Sequence, residues 1–218
     1  MRVSSVSLAL LVSAAGLSGS SPTAATAGDS ALSCDRRGLT EYRTKALRVY
    51  SVSRDGVDYD FGCLRPNGRK TQINESSDAD GDTAGSSYQE PGLGRYRAVG
   101  TTLAFVVSAV GADCYAIARS VDLKTGRNVA RLQFNGTGEV SDLLVFGNGT
   151  IAVIAEPSVS GNMGCRGQDT GRVLRLQDSS GRTRTLAAGA GIVPSSLRKV
   201  EGAIEWRQDG SLRRRALG

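Results

Sequence analysis

Residues Gly138 to Gly149 read GEVSDLLVFGNG, Thr150 to Pro157 read TIAVIAEP and, after a glycine-containing gap, Gly171 to Gly189 read GRVLRLQDSSGRTRTLAAG. Branched and alternating apolar runs make short strands of Ser141 to Phe146, Thr150 to Glu156, Arg172 to Gln177 and Arg182 to Leu186. Asn148-Gly149, Gly161 and Asp178-Ser179-Ser180-Gly181 punctuate them. Asn-Gly tolerates positive φ at both central positions of a tight turn, so Asn148-Gly149 closes the first pair into a hairpin. The stretch reads as one four-stranded antiparallel meander.

The same grammar extends in both directions. Upstream, Arg95 to Phe134 supplies a second unit, in which Asp122 to Gly126 is the counterpart of the Asp178–Gly181 turn: Asp bonds the backbone and Gly takes the left-handed position. The second strands of these units, Leu103 to Val107 and Ile151 to Ile154, are apolar throughout, which predicts burial on both faces. A first unit comprises Lys45 to Ser53, Asp60 to Arg65 and Lys70 to Asn74; a last one spans Ser196 to Leu217. Each of these two is expected to be one strand short, as if the N-terminal strands completed the last sheet and closed a ring. Units of about 40 to 50 residues with four strands apiece have the spacing of β-propeller blades. The expected fold is therefore all-β, a small or incomplete β-propeller of about four blades, with a β-sandwich as the alternative. Helix should be scarce.

Arg2, the apolar run Val6 to Leu17 and the small residues ending at Ala27 have the layout of a secretory signal peptide, with cleavage expected after Ala27. Residues 28–44 then read as an N-terminal arm and 45–218 as the domain. No later run is apolar over the roughly 20 residues that a membrane helix needs. An extracytoplasmic chain with four cysteines and no histidine points to disulfides rather than zinc. Three pairings are possible. Cys114 and Cys165 follow the second strands of neighbouring units, which favours Cys114–Cys165 and, by elimination, Cys34–Cys63. The net charge of +6 is spread as Arg over most strands, with Arg213-Arg214-Arg215 the one run. Aromatics do not interleave with these cations, so a solvated basic surface is expected rather than a nucleic-acid groove.

Candidate chemistry is sparse. Asp78, Asp80 and Asp82, with Glu90 further on, place carboxylates at alternate positions of a long polar loop and could hold calcium. Thr83 stands where an EF-hand needs Gly, so a solvated acidic loop is the competing account. The absence of histidine removes Ser-His-Asp and Cys-His nucleophile activation. A carboxylate pair could still hydrolyse a glycoside, and Glu139, Asp142, Glu156, Glu201 and Glu205 are available, though none has an identifying context. Trp206, the single tryptophan, is expected in the core rather than as a carbohydrate platform.

Gly149 to Ile154 (GTIAVI), Gly171 to Leu176 (GRVLRL), Ala203 to Trp206 (AIEW) followed by Asp209-Gly210, and Val121 to Gly126 (VDLKTG) resemble WD40-like repeats of the TolB type. The likeness covers about residues 95–217 and, weakly, 45–74; the chain is similar to small secreted actinobacterial proteins of unassigned activity. The resemblance implies a propeller-like scaffold that binds protein or carbohydrate partners through its loops, and it carries over no site residue. The expectation is an exported, non-catalytic binding or scaffold module; the alternative is a histidine-independent hydrolase or lyase of extracellular polysaccharide.

Overall fold

The computed structural model describes Cys34 and residues 38–77, 96–109, 115–135, 139–156 and 171–217. The expected leader, the acidic residues Asp78, Asp80, Asp82 and Glu90, and the cysteines Cys114 and Cys165 lie outside the described residues.

The described chain is all-β, in four antiparallel sheets that follow one another in sequence. The first holds β1 (Leu39–Arg43), β2 (Leu47–Arg54), β3 (Val57–Leu64) and β4 (Arg69–Ser77); the second holds β5 (Tyr96–Val99), β6 (Thr102–Ala109), β7 (Tyr115–Asp122) and β8 (Arg127–Asn135). The third holds β9 (Glu139–Val145), β10 (Ile151–Glu156), β11 (Arg172–Gln177) and β12 (Thr183–Gly189), and the fourth β13 (Arg198–Val200), β14 (Ala203–Gln208) and β15 (Ser211–Ala216). Each strand pairs with its sequence neighbour, the meander read from the turns. No helix among the described residues is long and apolar enough to cross a membrane.

Two expectations at the ends need correction. The first sheet has its full four strands, because Leu39–Arg43, inside the expected arm, pairs with β2. Strand β1 is therefore committed to the first sheet and does not complete the last, which keeps three strands. The physical reason lies in what holds the arm. Cys34 is bonded to Cys63 on β3, with Cα atoms 5.9 Å apart, as the sequence predicted. Arg48 of β2 is buried, donates to the Cys34 carbonyl, to the Gly38 carbonyl at 2.9 Å and to Thr40 Oγ1 at 2.8 Å, and lies over the Tyr50 ring. This face of β2 alternates polar and aromatic residues in the manner of a solvated face, yet the arm covers it.

The sheets stack in a row, each neighbouring pair packing face to face around its own core. Leu103 and Phe105 of β6 face the first sheet, where they meet Leu47, Val49 and Leu64; Ala104 and Val106 of the same strand face the third. Strand β10 repeats the arrangement one sheet later: Ile151, Val153 and Ala155 face the second sheet, Ala152 and Ile154 the fourth, where Ile204 and Trp206 wait. Two-sided burial is why both strands are continuously apolar. The close spacing also selects glycine at Gly62, where a Cβ would stand 2.6 Å from Leu123 Cδ2 of the second sheet, a side chain with no exposed surface. Gly149 combines φ of 90° with a Cβ position 2.2 Å from Val129, so the hairpin glycine serves the turn and the sheet contact at once.

Each interface also carries a buried polar clamp. Between the first two sheets Asp60 accepts from Ser51 Oγ at 2.5 Å, Asn74 Nδ2 at 3.3 Å and the Tyr96 hydroxyl at 3.3 Å. Between the second and third, Ser120 Oγ donates to the Gly149 carbonyl at 2.6 Å while accepting from Ala130 N–H at 3.1 Å. Between the third and fourth, Asp142 Oδ2 accepts from Leu197 N–H at 2.8 Å and Oδ1 from its neighbour Leu143 N–H at 3.0 Å. Burial raises the Asp142 pKa, against the pull of these two N–H groups and of the Arg97 charge. The exposed turns behave oppositely. Asp178 is held below the usual aspartate range, first by the Ser180 hydroxyl at 2.5 Å and then by the N–H groups of Arg182 and Ser180. Burial works against ionisation of Asp122, but Lys124 N–H and the Thr125 and Thr101 hydroxyls outweigh it, and its pKa is also lowered.

Two outcomes are expected. Gly62→Ala should destabilise the fold by about 1–3 kcal/mol through overpacking, and in a Leu123→Ala background the same substitution should cost less, because the atoms it collides with are gone; urea unfolding of the two single variants and the double variant measures the coupling. Because the folded pKa of Asp142 is raised, its contribution to stability is fully present below the ordinary aspartate value near 3.8 and is lost as pH rises through the folded value. The stability difference between Asp142→Asn and the parent should accordingly climb in favour of the variant across that window and be flat on either side; a level difference from acid to neutral pH would refute it.

Candidate functional site

Of the five carboxylates open to hydrolytic chemistry, Asp142 is the interface clamp just described. Glu156 on β10 is held by Arg172, Nε to Oε2 2.6 Å, and Arg172 also donates to the carbonyls of Ala190 at 3.2 Å and Ile192 at 3.0 Å. Glu139 stands across the ladder from Glu156. Glu201 lies exposed in the β13–β14 turn, and Glu205 sits in register between Arg198 and Arg214. Paired acid/base chemistry needs two carboxyls with different protonation on either side of a substrate. The one cross-strand pair has a member already committed to a guanidinium, and the rest are dispersed. No group of three or more metal-ligating side chains is assembled among the described residues.

What the fold does assemble is basic. At the outer margin of the third and fourth sheets, the apolar packing that closes the deeper part gives way to a cavity of about 470 Å³ lined by Arg184, Thr185 and Leu186 of β12, Trp206 of β14 and Arg213, Arg214 and Arg215 of β15. Register explains the composition. Cross-strand partners share a face, so Arg213 opposite Trp206 and Arg215 opposite Ile204 project on the core side of the fourth sheet. Arg184, opposite Leu176, projects from the third sheet towards them. In the second sheet the outer strand places Ala130, Leu132 and Phe134 in the corresponding apolar alternation. Strand β15 offers guanidinium groups there instead, and the gap stays open.

The charge in the cleft is poorly neutralised. Arg184 Nη2 is 4.0 Å from Asp178 Oδ2, while its Nε is buried with no hydrogen-bond partner. Arg213 and Arg215 pair with no carboxylate among the described residues, and Arg214 reaches only the Glu201 carbonyl at 3.4 Å. Arg184 also lines an adjoining cavity of about 490 Å³ that runs past Asp178, Ser179 and Ser180 to Asn148 and Phe146. Trp206 is 6% exposed and donates Nε1–H to Gln208 Oε1 at 3.4 Å, so it is the floor of the cleft, in the core as its sequence position implied. Guanidinium forks match carboxylate, phosphate and sulfate oxygens, and these stand on facing strands rather than on one surface. No sequence signal pairs Arg184 with the arginine run: they are 29 residues apart, and only the sheet-on-sheet packing makes them neighbours.

No protein-family model matches the chain, and no curated protein matches it. Among solved structures, an uncharacterised protein of Listeria monocytogenes is similar with a TM-score of 0.38 and 12% identity, over 79% of this chain and 51% of that one. The chain thus spans about half the length of that protein.

Proposed function

We propose that the protein is an exported, non-catalytic binding module that holds an anionic ligand in the arginine-lined cleft between its third and fourth sheets. The observation that carries this reading is the convergence of Arg184, Arg213 and Arg215 from two facing strands onto one cavity that contains no carboxylate of its own. Arg213 and Arg215 are exposed at the mouth of the cleft and bring like charge towards Arg184, a repulsion that an anion seated among them would relieve. Export is supported by the leader-like N-terminus and by the Cys34–Cys63 disulfide, a bond that persists in oxidising surroundings. A polysaccharide hydrolase or lyase finds no comparable support, because Asp142 and Glu156 are both engaged in holding the fold together.

The test is binding of the mature protein to a panel of carboxylated, sulfated and neutral glycans. The expected result is binding to an acidic member that weakens as salt is raised, with Arg213→Ala/Arg215→Ala reducing affinity about tenfold or more. Arg207→Ala, on the opposite face of the fourth sheet, should leave it unchanged. Equal binding of neutral glycans, or indifference to the double substitution in a variant with unaltered thermal unfolding, would overturn the proposal.

A further inference from the structure

The cleft is not isolated. On the other face of β12, turned towards the second sheet, a further open cavity of about 440 Å³ is lined by Arg172, Val173 and Arg175 of β11 and by Thr185 and Ala188 of β12. Thr185 lines both cavities. Arg175 is opposite Thr185 in the ladder, so it points away from the fourth sheet; its guanidinium lies 5.3 Å from the Phe134 ring centroid. Among the described residues, strand β12 is the outer edge of the third sheet and pairs with β11 alone. Its outward edge therefore lies between the arginine-lined cleft on one face and, on the other, a cavity whose free cation among the described residues is Arg175, since Arg172 is paired with Glu156.

We infer that the ligand is a linear acidic polysaccharide draped over the β12 edge, with acidic groups in the cavities on both faces and hydroxyls meeting the edge backbone between them. The inference rests on the anion-binding reading above and adds the length and class of the ligand. A small anion satisfies one cavity. Only a chain reaches both, because the two cavities open on opposite faces of β12 and a ligand in one must pass over the strand to enter the other. Polysaccharide is favoured over nucleic acid by the lack of a stacking surface: Trp206 is 6% exposed, and Phe134 is 3% exposed with its face taken by Arg175. Single-stranded nucleic acids draw on aromatic faces for binding. Hydroxyls, by contrast, suit an unpaired strand edge, whose groups seek donors and acceptors.

The experiment uses polygalacturonate and its trimer as probes, titrated into the mature protein and into two variants. Arg175→Gln keeps the stem over Phe134 and removes the charge; Arg213→Ala/Arg215→Ala empties the first cleft. The expected result is that the polymer binds the parent about tenfold or more tighter than the trimer. Arg175→Gln should abolish most of that gain while leaving trimer binding unchanged, Arg175→Lys should restore part of it, and the double variant should weaken both probes. Equal affinity for polymer and trimer, or a polymer affinity untouched by Arg175→Gln, overturns the bridging inference and leaves the cleft reading standing. Indifference of both probes to the double variant overturns the cleft reading as well. Tighter binding of single-stranded DNA than of polygalacturonate of equal length would identify a nucleic-acid ligand and overturn the polysaccharide assignment.

Discussion

Strands β6 and β10 must serve two cores each, and everything else in this fold accommodates that demand. Alternate side chains of one strand enter opposite interfaces, so a single residue inserted or removed would exchange the two sets and misfit both. Glycine-based turns hold the register, and small residues such as Gly62 set how closely one sheet lies on the next. The buried polar groups Asp60, Ser120 and Asp142 then select one relative position for each pair of sheets, because an unmet donor or acceptor in such a gap is costly.

Much of this was legible in the chain and some was not. Unit spacing, the turn residues, the two-sided apolar strands and the Cys34–Cys63 bond are local or countable, and the structure follows them. Strand β1 was missed because Leu39–Arg43 is mostly polar and exposed; it is a strand by virtue of its neighbour and of the disulfide that anchors its approach, not of its own pattern. Arg48 and Tyr50 looked like a solvated face for the same reason. Asp142 is indistinguishable from a surface carboxylate until the loop before β13 is placed over it. The basic cleft was half visible: Arg213 to Arg215 stand out as a run, but Arg184 is an ordinary strand residue until two sheets bring it across.

The contrast between the inner and outer parts of the third interface shows how one surface can do two jobs. Near Asp142 the sheets are locked by apolar contact and a backbone-to-carboxylate bond. Towards the margin, the same alternation that would place leucines in a closing strand places arginines in β15. Apolar contact is densest where the sheets are deepest, which leaves the periphery at liberty to carry charge. Side chains set on such a frame are positioned by packing elsewhere, the condition under which a charged pocket keeps its shape.

A row of sheets that bury both faces poses a question that a closed barrel does not: what ends it. At the first sheet the outer face is shut by a covalent latch, Cys34 to Cys63, with Tyr50 and Phe61 packed beneath. At the fourth, the outer face carries the row Arg198, Glu205 and Arg214, which repels an apolar neighbour and satisfies itself in water. Among the described residues the two ends of the row are thus finished by unlike means, one by a bond and one by charge. One end of the stack therefore answers to reductant and the other to ionic strength.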